Sequence, residues 1–130
     1  MQTGIACLLR EMYIVIDTNA ILYAAKAKLD IFEELKGNKL VIPSCVLGEL
    51  KLLEKNAKKE VDRKAASLSL LILRKKAFLS PNLSPPADNA ILDWAKEKGA
   101  AILTNDAELK SRAKALGIKV LWIKEKRICE

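Results

Sequence analysis

The sequence predicts an α/β fold: a three-layer α/β/α sandwich around a five-stranded parallel sheet. Three observations lead there. From Tyr13 onward, short apolar runs of strand length alternate with helix-like segments, the pattern of a parallel sheet covered on both faces. The runs at 13–16 and 101–103 are apolar on both faces, as central strands of such a sheet must be. Finally, 130 residues, 51% apolar and 30% charged, suit one domain with one core. Crossovers between parallel strands should be right-handed.

The elements follow in order. Residues 1–11 read as a short leader or an extra strand, with Met12 as an alternative start, and 12–130 as a single domain. Tyr13-Ile-Val-Ile forms the first strand. Segments 19–27 and 31–35 read as short helices, the second ended by Gly37-Asn38. A second strand, 40–42, is closed by Pro43. Ser44 is placed to cap a helix running to about Asn56. Segment 60–76 is another helix, with Leu68, Leu71 and Ile72 on one face. Residues 77–79 make a short edge strand before a loop rich in Ser and Pro. Pro86 suits the first turn of a helix that runs to Lys98 and stops at Gly99. Strand 101–103, a helix over 106–116 closed by Gly117, and strand 119–123 complete the domain ahead of a charged tail.

Composition removes whole classes of chemistry. Histidine is absent, so His-based triads and His-ligated zinc sites are excluded. Cys7, Cys45 and Cys129 are odd in number, with no CxxC pair; free thiols in a reducing cytosol are expected. No apolar run is long enough to span a membrane, and the N-terminal stretch lacks the basic start of a signal peptide. The expected location is therefore the cytoplasm. A net charge of +7 favours a polyanionic partner, and equally keeps a small protein soluble.

The informative residues are acids. Two strands end alike, Ile16-Asp17-Thr18-Asn19 and Leu103-Thr104-Asn105-Asp106. Both motifs fall at the carboxyl edge of the sheet, where open α/β sheets bind ligands. Helix capping accounts fully for Asn19 and Asn105, and for either Asp singly. It accounts less well for both buried strands ending in an acid. Glu49 falls inside an apolar arc formed by Val46, Leu50 and Leu53 on one side and Leu52 on the other. A Glu at the margin of a core can also extend its head to water. Glu54 lies near the same arc, but Glu49 sits closer to the sheet edge. Asp88 occupies the first turn of its helix, favourable for the helix dipole, one turn before the buried Ile91 and Leu92. Asp93 reads as solvated.

Four convergent carboxylates conflict electrostatically: two unit charges 4 Å apart repel by about 4 kcal/mol at an effective dielectric near 20. Either some are protonated or a cation joins them. Oxygen ligands without His or Cys select a hard ion, Mg²⁺ or Mn²⁺. Carboxylate-held ions of this kind serve phosphoryl chemistry by activating water and neutralising the leaving oxygen.

These residues resemble the PIN domain family of metal-dependent ribonucleases. The match comprises Asp17-Thr18-Asn19 after an apolar strand, Pro43-Ser44 with Glu49-Leu50, Ala87-Asp88 with Ile91, and Thr104-Asn105-Asp106 with Leu109. It covers residues 12–124; the section 87–123 is most similar to the archaeal and eukaryotic ribosomal-RNA-processing branch. The resemblance implies strand order 3-2-1-4-5 and a crevice for Mg²⁺ or Mn²⁺. Asp17, Glu49, Asp88 and Asp106 take the places of the metal-binding, catalytic acids. Thr18, Asn19, Thr104 and Asn105 match the polar positions that support them or the bound water. Asn89 stands where many relatives carry a further acid, which argues against a full second metal site.

The implied substrate is RNA, with an antitoxin, a ribosome-assembly partner or a second copy of the chain as candidate protein partners, and no membrane. The alternative is a non-catalytic PIN-like adaptor that binds RNA or protein. Haloacid-dehalogenase-like phosphatases need a second Asp where Asn19 stands, a receiver domain lacks its phosphoacceptor here, and no nucleotide-binding glycine loop occurs. Basic residues gather in 51–64, 74–76 and 124–127. They read either as solvated helix surface or as a phosphate track.

Overall fold

A computed structural model describes residues 11–130. The leader reading of 1–11 therefore lies, but for Glu11, outside the described residues. Strand β1 (Tyr13–Ile16) leads into α1 (Thr18–Ala27) and the short α2 (Ile31–Glu34). Then come β2 (Lys39–Val41), α3 (Ser44–Asn56), α4 (Glu60–Leu73) and α5 (Ala87–Lys98). The chain ends in β3 (Ala101–Leu103), α6 (Ala107–Ala115), β4 (Val120–Lys124) and β5 (Arg127–Cys129).

The sheet runs β2-β1-β3-β4-β5, with helices on both sides. β1 is central: Ile14 pairs with Leu40 on one flank and Ala101 on the other, both parallel. Ile14, Val15 and Ile16 are fully buried, as are Ile102 and Leu103. Strands apolar on both faces thus end up covered on both faces. The expected order 3-2-1-4-5 is present, with residues 77–79 contracted to a single parallel bridge, Leu79 to Val41. Leu79 holds the edge through Leu79 N–H to Leu40 O and Ile42 N–H to Leu79 O.

Four expectations are corrected. The sheet is not wholly parallel, because the charged tail folds back as β5, antiparallel to β4 with Ile123 opposite Ile128. The two-residue connection places Glu125 at φ 58°, a left-handed conformation that tight hairpins require. Ser44 does not cap α3. The helix begins at Ser44 itself, after Pro43, and the hydroxyl turns to the 80–86 loop. It accepts from Leu83 N–H at 3.0 Å and lies 3.1 Å from Asn82 Oδ1.

The third correction concerns α4. It buries Ala65, Ala66, Ser69, Leu70 and Leu73, leaving Leu68 44%, Leu71 50% and Ile72 38% exposed. α4 packs chiefly on α1 and α3, and small side chains let helix backbones approach closely. The fourth concerns α3, whose apolar arc is narrower than expected: Leu52 is 62% exposed and Leu53 only half-buried. Among the described residues no helix is long and apolar enough to cross a membrane. Cys45 and Cys129 are free thiols.

Candidate active site

The carboxyl ends of β1 and β3 lie side by side, Ile16 opposite Leu103, so the residues that follow emerge together. Asp17 N–H donates to Leu103 O and Thr104 N–H to Leu121 O, both at 3.0 Å. These bonds carry the ladder one residue past the strands and fix where the side chains start. Asp17, Glu49, Asp88 and Asp106 all line one pocket of about 230 Å³. Thr18, Asn19, Leu22 and Leu53 complete its wall. Asp17 forms the buried floor at 6% exposure. Asp88 and Asp106 are half-buried, and Glu49 stands exposed at the rim. Asp93 and Glu54, set aside on sequence grounds, are exposed and line no part of it.

Asp17 occupies the N-cap position of α1, yet its side chain makes no capping bond. Its Oδ2 instead accepts from the Thr104 hydroxyl at 2.8 Å. The Thr104 oxygen in turn accepts from Asp106 N–H at 3.0 Å. One fully buried threonine therefore ties the two strand-end acids together. Asp106 does cap its helix, Oδ1 accepting from Glu108 N–H at 2.8 Å and Leu109 N–H at 3.1 Å; its other oxygen takes no part in the cap. The Thr18 hydroxyl donates to Glu49 Oε1, joining α1 to α3 across the pocket.

Burial pushes the Asp17 carboxyl up to about 6, and the negative charges of Asp88 and Glu49 push the same way. The Thr104 hydroxyl and the Thr18 N–H oppose them without prevailing. None of the four acids belongs to an ion pair among the described residues, where the paired carboxylates are those of Glu60, Asp62 and Glu130. The neighbouring Cys45 thiol is pushed up by burial and by the charge of Glu49. It stays protonated at neutral pH and offers no thiolate.

The donor set fits a divalent ion in its chemistry. It is all oxygen, rich in negative charge and, among the described residues, free of lysine or arginine counter-ions, which suits a hard cation. Among the described residues no three Asp, Glu or Cys side chains converge closely enough to ligate one ion directly as they stand. The acids encircle the pocket instead. That spacing suits an ion which keeps part of its water shell, as Mg²⁺ does.

The expected supporting residues divide. Thr18 and Thr104 hold acids, and Asn19 lines the pocket. Asn105 neither caps a helix nor reaches the pocket. Its amide donates to Ile123 O at 2.9 Å and accepts from Ile123 N–H at 2.8 Å, fastening the end of β3 to β4 as an extra rung. No lysine or arginine of the clusters 51–64, 74–76 and 124–127 lines this pocket or the groove beside it. Sequence reasoning missed Arg112, which does line that groove. A lone arginine among the lysines of α6 was its only mark.

Comparison with known proteins gives a consistent result. The model of the PIN like domain family matches residues 14–126. Ribonuclease VapC9 of Archaeoglobus fulgidus is 31% identical over 114 residues, 85% of this chain and 82% of that protein. Ribonuclease VapC4 of Methanocaldococcus jannaschii is 31% identical over 124 residues, 90% and 94% respectively. The solved structure of the PIN domain endonuclease Utp24 superposes with a TM-score of 0.74 at 25% identity, covering 89% of this chain and 88% of that one.

Proposed function

The chain belongs to the PIN-like domain family, and on that premise we propose that it is a Mg²⁺- or Mn²⁺-dependent endoribonuclease. Asp17, Glu49, Asp88 and Asp106 are its catalytic, metal-holding acids. The observation that carries this reading is four carboxylates around one pocket with, among the described residues, no cationic side chain paired to them. The names of the relatives, ribonucleases and an endonuclease, support the substrate class and reaction.

A divalent ion held there would supply Lewis-acid stabilisation of the phosphate and a more acidic water. The protein's own residues do the rest. Asp17 and Asp106, tied together by Thr104, would hold the ion. Glu49, oriented by Thr18, and Asp88 complete the negative ring or take the proton from the attacking water. Positive charge in the pocket would offset the burial that chiefly raises Asp17, and the repulsion from Asp88 and Glu49 that adds to it. Recognition is of backbone and shape, since aromatic residues make up only 5% of the chain.

A protein partner is also part of the proposal. An apolar groove of about 520 Å³ runs between α1–α2 and α4, with Ile21, Phe32, Leu68 and Ile72 in its wall and Lys75 and Lys76 on its rim. An antitoxin, a ribosome-assembly factor or a second copy of the chain would cover it. The same groove is what favours the second reading, an adaptor that binds without cutting.

Labelled single-stranded RNA incubated with Mg²⁺, Mn²⁺, Ca²⁺ or EDTA separates the two readings. The nuclease reading expects cleavage with Mg²⁺ or Mn²⁺, and binding without turnover in Ca²⁺. Binding with no cleavage in any metal would leave the adaptor.

A further inference from the structure

Beside the acid pocket lies a second, larger depression, a groove of about 940 Å³ between α3 and the start of α5. Glu49 and Asp88 belong to both walls, so pocket and groove are continuous. Apart from these two acids the groove wall is neutral, with one exception. Arg112, exposed on α6, is the single cation lining it among the described residues.

Two features bear on what the groove can hold, although Arg112, in the last turn of α6, also favours that helix's dipole. Arg112 has no carboxylate partner among the described residues. Its Nη2 donates to Asn89 Oδ1 at 2.6 Å. An amide oxygen aims a guanidinium without neutralising it, so the full charge and the remaining N–H donors stay available. Guanidinium groups recognise phosphate with paired hydrogen bonds. The second feature is Gly48, in the interior of α3 and on the groove wall. A Cβ there would meet nothing within 4 Å, so no packing constraint demands glycine. A mid-helix glycine nevertheless costs stability relative to alanine. Bare backbone facing an open groove suits the close approach of a ligand chain.

We propose that Arg112 and Gly48 form the two banks of a phosphate track that leads a single RNA strand past Glu49 and Asp88 into the acid pocket. Asn89 holds Arg112 in place as a positioning residue. Arg112 pairs with a backbone phosphate flanking the one at the acids, and Gly48 leaves room for the sugar on the opposite side. The identity of the strand as RNA rests on the nuclease reading; the track itself rests on the groove.

The test is fluorescence anisotropy of a labelled single-stranded RNA of a dozen nucleotides, titrated with the full chain in Ca²⁺ at several salt concentrations. Arg112→Gln should weaken binding about tenfold and flatten the log–log salt dependence by about 0.7, the loss of one phosphate contact on a single strand. Arg112→Lys, keeping charge without the fork, should recover part of that loss. Gly48→Leu should fill the groove and weaken binding by an order of magnitude or so. Its thermal midpoint should be equal to the parent's or higher, since leucine is the better helix former. A purely structural role for Gly48 predicts the opposite pairing.

Variants that bind like the parent, with an unchanged salt slope, would overturn the track while leaving the nuclease reading to its own cleavage test. A parent that binds RNA but never cuts it, with Arg112→Gln still weakened, would leave the track standing and remove the nuclease reading. A parent that binds no RNA at all would remove both.

Discussion

Replacing Asp17 with Asn should make the protein more stable at neutral pH in EDTA. Asp17 is 6% exposed, and its folded pKa of about 6 stands above the ordinary aspartate value of 3.8. Burial is the main cause, with Asp88 and Glu49 adding to it. Between those two values the folded state binds more protons than the unfolded one, so stability falls as pH rises. The cost is absent below the unfolded value and complete above the folded one. About two pKa units correspond to roughly 3 kcal/mol, or roughly 10 °C in melting temperature for a chain of this size.

Asn keeps the shape and an oxygen for the Thr104 hydroxyl, but removes the charge. Thermal unfolding of parent and variant in EDTA should therefore differ by about that amount at pH 7.5. At pH 4 the gap should shrink to about 0.5 kcal/mol. Equal stability at pH 7.5, or a gap that persists unchanged at pH 4, would refute the claim that Asp17 carries an uncompensated buried charge.

Thr104→Val strips a buried hydroxyl that serves both strand-end acids, leaving a carboxylate oxygen and the Asp106 N–H without it. We expect a loss of about 2–3 kcal/mol and RNA cleavage reduced at least tenfold, with Thr104→Ser close to parental in both unfolding and cleavage assays. Asn105→Ala should cost about 1–2 kcal/mol, the two hydrogen bonds to Ile123. Calorimetry should find its divalent-ion affinity unchanged; a large loss of affinity would return Asn105 to the site.

What the sequence conveyed followed from how strongly each feature couples to burial. Ile14–Ile16 and Ile102–Leu103 had to be central strands, because nothing else buries an uninterrupted apolar run so short. An acid at the end of each then located the sheet edge, and adjacency of β1 and β3 brought Asp17 and Asp106 together. Asp88 was legible from helical phase, and Glu49 from phase together with its nearness to the sheet edge, which set it apart from Glu54. Features governed by tertiary contacts were not. β5 lacks the glycine or asparagine that marks a tight hairpin, and its turn is built from Glu125 and Lys126. The buried face of α4 is chosen by close approach to α1 and α3, which favours Ala65, Ala66 and Ser69 over the larger leucines that dominate hydropathy. Ser44 and Asn105 satisfy backbone groups far away in the chain, at Leu83 and Ile123. Such partners leave no local periodicity. Arg112 is distinguished only by where α6 places it.

Isothermal titration of Mn²⁺ into the parent and into Asp17→Asn at pH 7.5 bears most directly on the acid pocket. Saturable binding by the parent, weakened tenfold or more in the variant, is the predicted result. An absence of binding up to millimolar Mn²⁺, or identical isotherms for the two proteins, would contradict the assignment of these carboxylates to a divalent ion.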